Sequence, residues 1–186
     1  MAKDCVRTVA TGNLVPGPAL RLISPKPFNS KEVKWGKSNE KVAIDEYKRA
    51  TEVEVKKCGL FVDIETSYLA GSPDGLTSDG TLVEVKCPHS IRDEPPENAP
   101  FLRKVKVNHS VISSLKREHG YYMQCQLLMH VTRCKRCDFV VWTNRGIFIE
   151  NIKYDSDFCE RTIFYLDMYF RKVFAPLSVR TLWSQK

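Results

Sequence analysis

The sequence has no apolar run approaching the roughly 18 residues that a membrane-spanning helix needs, and Met1 to Ala10 lack the apolar block of a secretory leader. A soluble protein is expected. It also lacks a regular cysteine framework: its seven cysteines, at 5, 58, 87, 125, 134, 137 and 159, are odd in number and irregular in spacing. A chain of this size does not depend on disulfides, so reduced thiols and a cytoplasmic or nuclear setting are expected. Cys134 and Cys137 have the spacing of half a zinc site, but no second pair of that spacing follows, which favours buried thiols at the start of an apolar strand. Glycine and proline are sparse, nine and ten of 186 residues, and no internal repeat is visible, which excludes collagenous and low-complexity classes. What remains is a globular composition, 42% hydrophobic and 27% charged. The chain carries an excess of positive charge: 29 Lys and Arg against 22 Asp and Glu leave +7, enough to attract a polyanion if gathered on one face.

The first 28 residues hold Gly12, Pro16, Gly17, Pro18, Pro25 and Pro27 with little periodicity and read as an arm or linker, so a single domain is expected over 29–186. Ser30 is a good N-cap for a helix with Glu32 in its first turn. Apolar or small residues recur there at Val33, Gly36, Ala43, Ile44 and Tyr47, all within roughly 60° of Glu40 on a helical wheel. Glu40 therefore points toward the protein, and an inward carboxylate needs a partner. Leu60 to Ile64, Tyr68 to Ala70 and Leu82 to Cys87 read as three strands, the last alternating so that Glu84 and Lys86 share one face and Val85 and Cys87 the other. A proline-rich loop follows from His89 to Pro100, then a helix from about Ser113 to His130 with Gln124 and Gln126 as polar exceptions. Cys137 to Thr143 and Ile147 to Ile152 flank an Asn144-Arg145-Gly146 turn as a hairpin. A last helix, from about Ser156 to Phe174 and stopped by Pro176, is expected to pack Phe164, Met168 and Val173 on the sheet. The fold class is α/β.

Ser72-Pro73-Asp74-Gly75 is a turn sequence, and by itself nothing more. Alternating Glu and Lys on a strand is by itself a solvated face. Together they are more specific. If strands on either side of the turn pair, the Asp74 carboxylate can lie beside Glu84, and both stay ionised only with a cation between them. Oxygen-only ligands, with the main-chain carbonyl of Val85 as a further one, suit Mg²⁺ or Mn²⁺, and Glu40 is placed to serve a second ion. Lys86, about 7 Å along the strand from Glu84, can reach a water or a phosphate oxygen. Three acids and a lysine buried together without function would be costly.

Trp35, Gly36 and Glu40, then Gly71-Ser72-Pro73-Asp74-Gly75-Leu76, Leu82-Val83-Glu84-Val85-Lys86-Cys87-Pro88 and Tyr121-Tyr122-Met123-Gln124-Cys125-Gln126, resemble the phage-lambda-type exonucleases, also called YqaJ-like viral recombinases, of the PD-(D/E)xK nuclease superfamily. The resemblance runs from about Phe28 to Pro176. It implies a restriction-endonuclease-like core, a mixed central β-sheet flanked by helices, and Mg²⁺-dependent cleavage of duplex DNA from its end, 5′ to 3′, in recombination or repair. By it, Asp74 and Glu84 bind metal, Lys86 is the catalytic lysine, Glu40 assists, and Ser72, Tyr121 and Gln124 lie close to the substrate. A ring-shaped trimer and a single-strand annealing partner are the family's expected company.

Arg103, Lys104, Lys106, His109, Lys116, Arg117 and His119 fall between the catalytic strand and the glutamine-bearing helix and are candidates for DNA backbone contacts. Lys31, Lys34, Lys37, Lys41, Lys48 and Arg49 read as the wet face of the first helix, and His89 as an incidental loop residue. The competing readings are a nicking or structure-specific endonuclease of the same fold and a DNA-binding module without turnover.

Overall fold

The structure, a computed structural model, describes residues 2–25, 29–107 and 110–183. The chain divides into two compact units, Met1–Phe28 with Asp155–Lys186, and Asn29–Tyr154.

The smaller unit opens with α1 (Ala2–Ala10) and α2 (Gly17–Ile23), and the larger one opens with α3 (Lys31–Thr51). Ser30 caps α3 by accepting from the Val33 amide, as its N-cap sequence predicts. The strands are β1 (Val55–Lys56), β2 (Phe61–Val62), β3 (Ala70–Gly71), β4 (Gly75–Thr77), β5 (Thr81–Lys86), β6 (Leu102–Val107), β7 (Ser110–Leu115), β8 (Arg136–Thr143) and β9 (Gly146–Lys153), with α4 (Gly120–Thr132) before β8. Five form a mixed sheet in the order β1-β4-β5-β8-β9. β5 and β8 are parallel, and α4 lies in the connection that such a pair requires. Because β5 is central, Thr81 to Val85 are all buried.

The two faces of β5 have different neighbours. Val83 and Val85 join Ala43 and Tyr47 of α3 and Val140 and Trp142 of β8 in one apolar cluster, each buried Val contributing about 1.5–3 kcal/mol. On the other face Glu84 meets α4. The core is pinned by polar bonds as well: Tyr47 donates to Asp138 at 2.5 Å and the Trp142 indole to Glu46 at 2.6 Å.

The turn that joins β4 to β5 lies at residues 78–80, where Gly80 takes φ +79° and the Thr77 hydroxyl bonds to the Thr81 carbonyl at 2.9 Å. β4, just after the Ser-Pro-Asp-Gly turn, is the strand that pairs with β5, and Gly75 sits opposite Val83. A Cβ on Gly75 would come within 2.2 Å of Val55 Cγ1. Gly75→Ala is therefore expected to destabilise the protein by about 1–3 kcal/mol, read as a lower denaturant midpoint at unchanged m-value.

Five expectations are corrected. Residues 2–10 and 17–23 are helical, because Ala2 to Ala10 hold neither Gly nor Pro, and Pro18 stands in the first turn of α2, where its missing N–H costs nothing. These residues group with the chain's other end, where the Tyr169 hydroxyl accepts from the Ala19 amide and donates to the Val15 carbonyl, both at 3.0 Å. The helix expected from Ser113 begins only at Gly120, capped by His119; Val111, Ile112 and Leu115 belong to β7. Pro176 does not stop the last helix. α5 (Ser156–Tyr169) widens into a π-helical turn, Phe170–Phe174, and continues as α6 (Ala175–Trp183), the wider turn making room for the proline ring. Phe164, expected to be packed, is 61% exposed. Of the Leu60–Ile64 run only Phe61 and Val62 are paired, and Ile64 is 90% exposed.

Candidate active site

Continuing the β4–β5 register one step beyond Gly75 and Val83 sets Asp74 across from Glu84. Asp74 Oδ2 accepts from the Val85 amide at 2.7 Å, which ties the turn to the strand. Burial raises the Asp74 carboxyl above its usual range, against the Val85 N–H and the Lys86 charge, which lower it. Glu84 is 2% exposed. Its Oε1 accepts from Gln124 Nε2 of α4 at 2.6 Å and is bonded to Lys86 Nζ. Its Oε2 is buried with no hydrogen-bond partner among the described residues. Burial pushes the Glu84 carboxyl up to about 7; Lys86 opposes this and Asp74 and Glu40 add to it.

Lys86 is drawn down by burial, but Glu84 and Asp74 together hold it above its usual value, so it stays charged. Its Nζ lies 4.8 Å from the centroid of the Tyr121 ring. Tyr121 in turn meets Phe101 edge to face at 5.0 Å. Glu40, half-buried on α3, is raised by burial and by Asp74, with Lys57, Lys86 and Lys37 acting against it, so its charge acts on the same cluster. Lys57 is a member that sequence reasoning missed. It stands just past β1, and only the pairing of β1 with β4 brings it near.

The remaining candidates are dispersed around this centre. Ser72 is exposed in the turn before Asp74, and the backbone of Val85 serves Asp74 through its amide. Arg103, Lys104 and Lys106 are exposed on β6, with Lys104 Nζ 2.9 Å from Ser113 Oγ. Lys116 donates to the Pro100 carbonyl at 2.6 Å, and Arg117 lies over the Tyr122 ring at 5.4 Å. His119 caps α4, and His109 lies outside the described residues. His89 packs against Trp35, with ring centroids 5.8 Å apart.

Among the described residues, no three His, Cys, Asp or Glu side chains stand close enough together to hold an ion as they are placed. The donor chemistry nonetheless fits a hard divalent cation. Asp74, Glu84 and Glu40 offer only oxygen, and the orphaned Glu84 Oε2 is a buried acceptor that lacks the positive partner its burial calls for. Cys134 and Cys137 offer no such set: the Cys137 thiol is fully buried and hydrogen-bonded to that of Cys125, and the described cysteines are free thiols.

A central mixed sheet flanked by helices places the chain in the restriction-endonuclease-like fold class. The chain belongs to the YqaJ-like viral recombinase domain family, which it matches over residues 10–135. Its fold is similar to that of an alkaline exonuclease (LHK-Exo) from Laribacter hongkongensis, at a TM-score of 0.74 and 21% identity, covering 98% of this chain and 90% of that one. The same enzyme in complex with dAMP gives 0.73 and 21%, covering 99% and 91%. A phage-related exonuclease from Haemophilus somnus 129PT gives 0.62 and 17%, covering 96% of this chain and 83% of that one. No curated protein is similar enough to this chain to count as a relative. No helix among the described residues is long and apolar enough to cross a membrane.

Proposed function

We propose that the chain is a divalent-metal-dependent deoxyribonuclease that degrades duplex DNA from a free end, 5′ to 3′, in recombination or repair. The observation that carries this is Glu84 Oε2, an ionisable oxygen buried without a hydrogen-bond partner among the described residues, across from Asp74 and beside Lys86. Family membership and the exonuclease-like fold support it.

Asp74, Glu84 and the Val85 carbonyl would hold Mg²⁺ or Mn²⁺, with Glu40 serving a second ion. When bound, the metal would supply charge against the scissile phosphate and make water a stronger nucleophile at neutral pH. Lys86 orients a water and neutralises charge that develops on the phosphate oxygens. Its contact with Glu84 holds the ammonium in place until the phosphate draws it forward. Gln124 fixes the rotamer of Glu84, and the Tyr121 face steadies the lysine. Ser72, exposed in the turn before Asp74, would donate to the phosphate.

Tyr121→Phe keeps the ring face and is expected to retain activity within about twofold. Tyr121→Leu removes a cation–π contact of about 0.5–2 kcal/mol and should lower kcat by about two- to thirtyfold, measured on saturating linear duplex. The defining assay compares 5′-phosphorylated linear, 5′-hydroxyl linear and covalently closed circular duplex with Mg²⁺. Loss of the linear substrates and survival of the circle are expected. Nicking of the circle would overturn the exonuclease assignment, and inertness toward every substrate would overturn the nuclease assignment.

A further inference from the structure

Among the described residues the β6–β7 hairpin takes no part in the central sheet, and its strands pair with each other. We propose that it is a basic ribbon that lies along duplex DNA adjoining the cleaved end, so that the preferred substrate is duplex continuing several base pairs beyond the reacting phosphate. This rests on the nuclease reading and adds to it a partner surface and a length requirement.

The outer part of the ribbon is built for a polyanion. From Leu102 to Leu115 there is no Asp or Glu, while Arg103, Lys104 and Lys106 are all exposed. Strand alternation puts Lys104 and Lys106 on one face and Arg103 on the other, so cations flank the ribbon on both sides. The return strand adds Val111 and Ile112, 60% and 48% exposed. A lone two-stranded hairpin is marginal in water, and Arg103, Lys104, Lys106, Val111 and Ile112 of this one are exposed.

The root is fixed. Leu102 and Leu115 face each other and are both buried. Glu150 of β9 accepts from Ser114 Oγ at 2.7 Å and from the Leu115 amide at 2.6 Å, and the Lys116 amide donates to the Phe101 carbonyl at 3.0 Å. Phe101, at the base, packs on Tyr121, whose ring lies beneath Lys86. The base of the ribbon is therefore joined to the aromatic support of the candidate catalytic lysine and tied to β9 by Glu150.

Duplex DNA is the occupant this arrangement fits. Three acids gathered at the site repel phosphate, and the ribbon supplies attraction nearby. A two-stranded ribbon also matches the major groove, about 12 Å wide. Six-residue strands reach about 20 Å, or about six base pairs at 3.4 Å per step.

The test is duplex binding by fluorescence anisotropy in EDTA, so that no cutting is needed. The probes are a labelled 20-base-pair duplex and a stem-loop with a four-base-pair stem. Relative to the wild type, the triple variant Arg103→Ser, Lys104→Ser, Lys106→Ser is expected to lose at least tenfold in affinity for the long duplex. Its plot of log affinity against log salt should be shallower by about 2–3, and the two proteins should differ by less than threefold on the short stem. The charge-preserving variant Arg103→Lys, Lys104→Arg, Lys106→Arg should bind like the wild type. Equal affinity and salt slope for wild type and triple variant would overturn the proposal. So would a change in oligomeric mass without a change in DNA affinity, since a second copy of the chain would then be the occupant. A wild type that shows the length-dependent binding but never cuts linear duplex in Mg²⁺ would sink the nuclease reading and leave the ribbon standing.

Discussion

Lys86→Ala should degrade linear duplex DNA on the order of 10²–10³-fold more slowly than the wild type at saturating substrate and Mg²⁺, the range seen when one preorganised donor to a developing charge is removed. The same variant should be less stable, and by an amount that depends on pH. Lys86 is the charge that holds the Glu84 carboxyl down against burial. Without it the carboxyl rises above about 7 and takes up a proton instead of standing ionised and unpaired. Below pH 6 both proteins carry a protonated Glu84 to a large extent, so the loss is small. As pH rises past 7 the variant must bury an uncompensated carboxylate or remain protonated at increasing cost. Thermal melts in EDTA at pH 6 and pH 8.5 are expected to show the larger Tm difference at pH 8.5. A kcat within twofold of wild type would remove Lys86 from the mechanism.

Glu84→Gln should abolish activity and also remove the protein's stability response to divalent ions, with the opposite effect on the metal-free state. An acid whose folded pKa lies above its unfolded value makes the folded state bind the proton more tightly. Stability then declines as pH rises from the unfolded value, 4.5, through the folded one, about 7. The decline is on the order of 3 kcal/mol for a shift of this size. The glutamine cannot ionise, so the variant's metal-free stability should be flatter across that window, and at pH 8 it should equal or exceed the wild type. Mg²⁺ or Mn²⁺ should raise the wild-type Tm at pH 8 and leave that of the variant unmoved, because binding to the folded state alone stabilises it. An equal metal-induced rise in both proteins would place the ion elsewhere.

What was legible in the sequence is what depends on local period and local chemistry. The Ser30 cap and the stripe that turns Glu40 inward follow from helical spacing, and the two faces of β5 follow from alternation. The hairpin of β8 and β9 is marked by its turn residues, with Gly146 at φ +135°. The juxtaposition of Asp74 and Glu84 was readable as a pairing register, although the turn that makes it lies at 78–80 and not at the Ser-Pro-Asp-Gly sequence. Contacts that need distant elements were not readable. Gln124 on Glu84 crosses from helix to strand, and Tyr121 under Lys86 depends on Phe101 packing behind it. The β6–β7 ribbon was hidden because Ser113 to Leu115 also suits a helix, and only pairing with Leu102 to Lys104 decides between them. α1 was missed because prolines further along suggested an arm. The continuation through Pro176 needed a π-helical turn that no local signal announces.

The most direct test of a cation held by Asp74 and Glu84 is anomalous diffraction from crystals of the protein soaked in Mn²⁺. A manganese peak in contact with both carboxylates and with the Val85 carbonyl is expected, and its disappearance in Glu84→Gln crystals soaked in the same way. A manganese peak elsewhere, or none at this position in a protein that degrades DNA only with Mn²⁺ or Mg²⁺, would contradict that placement.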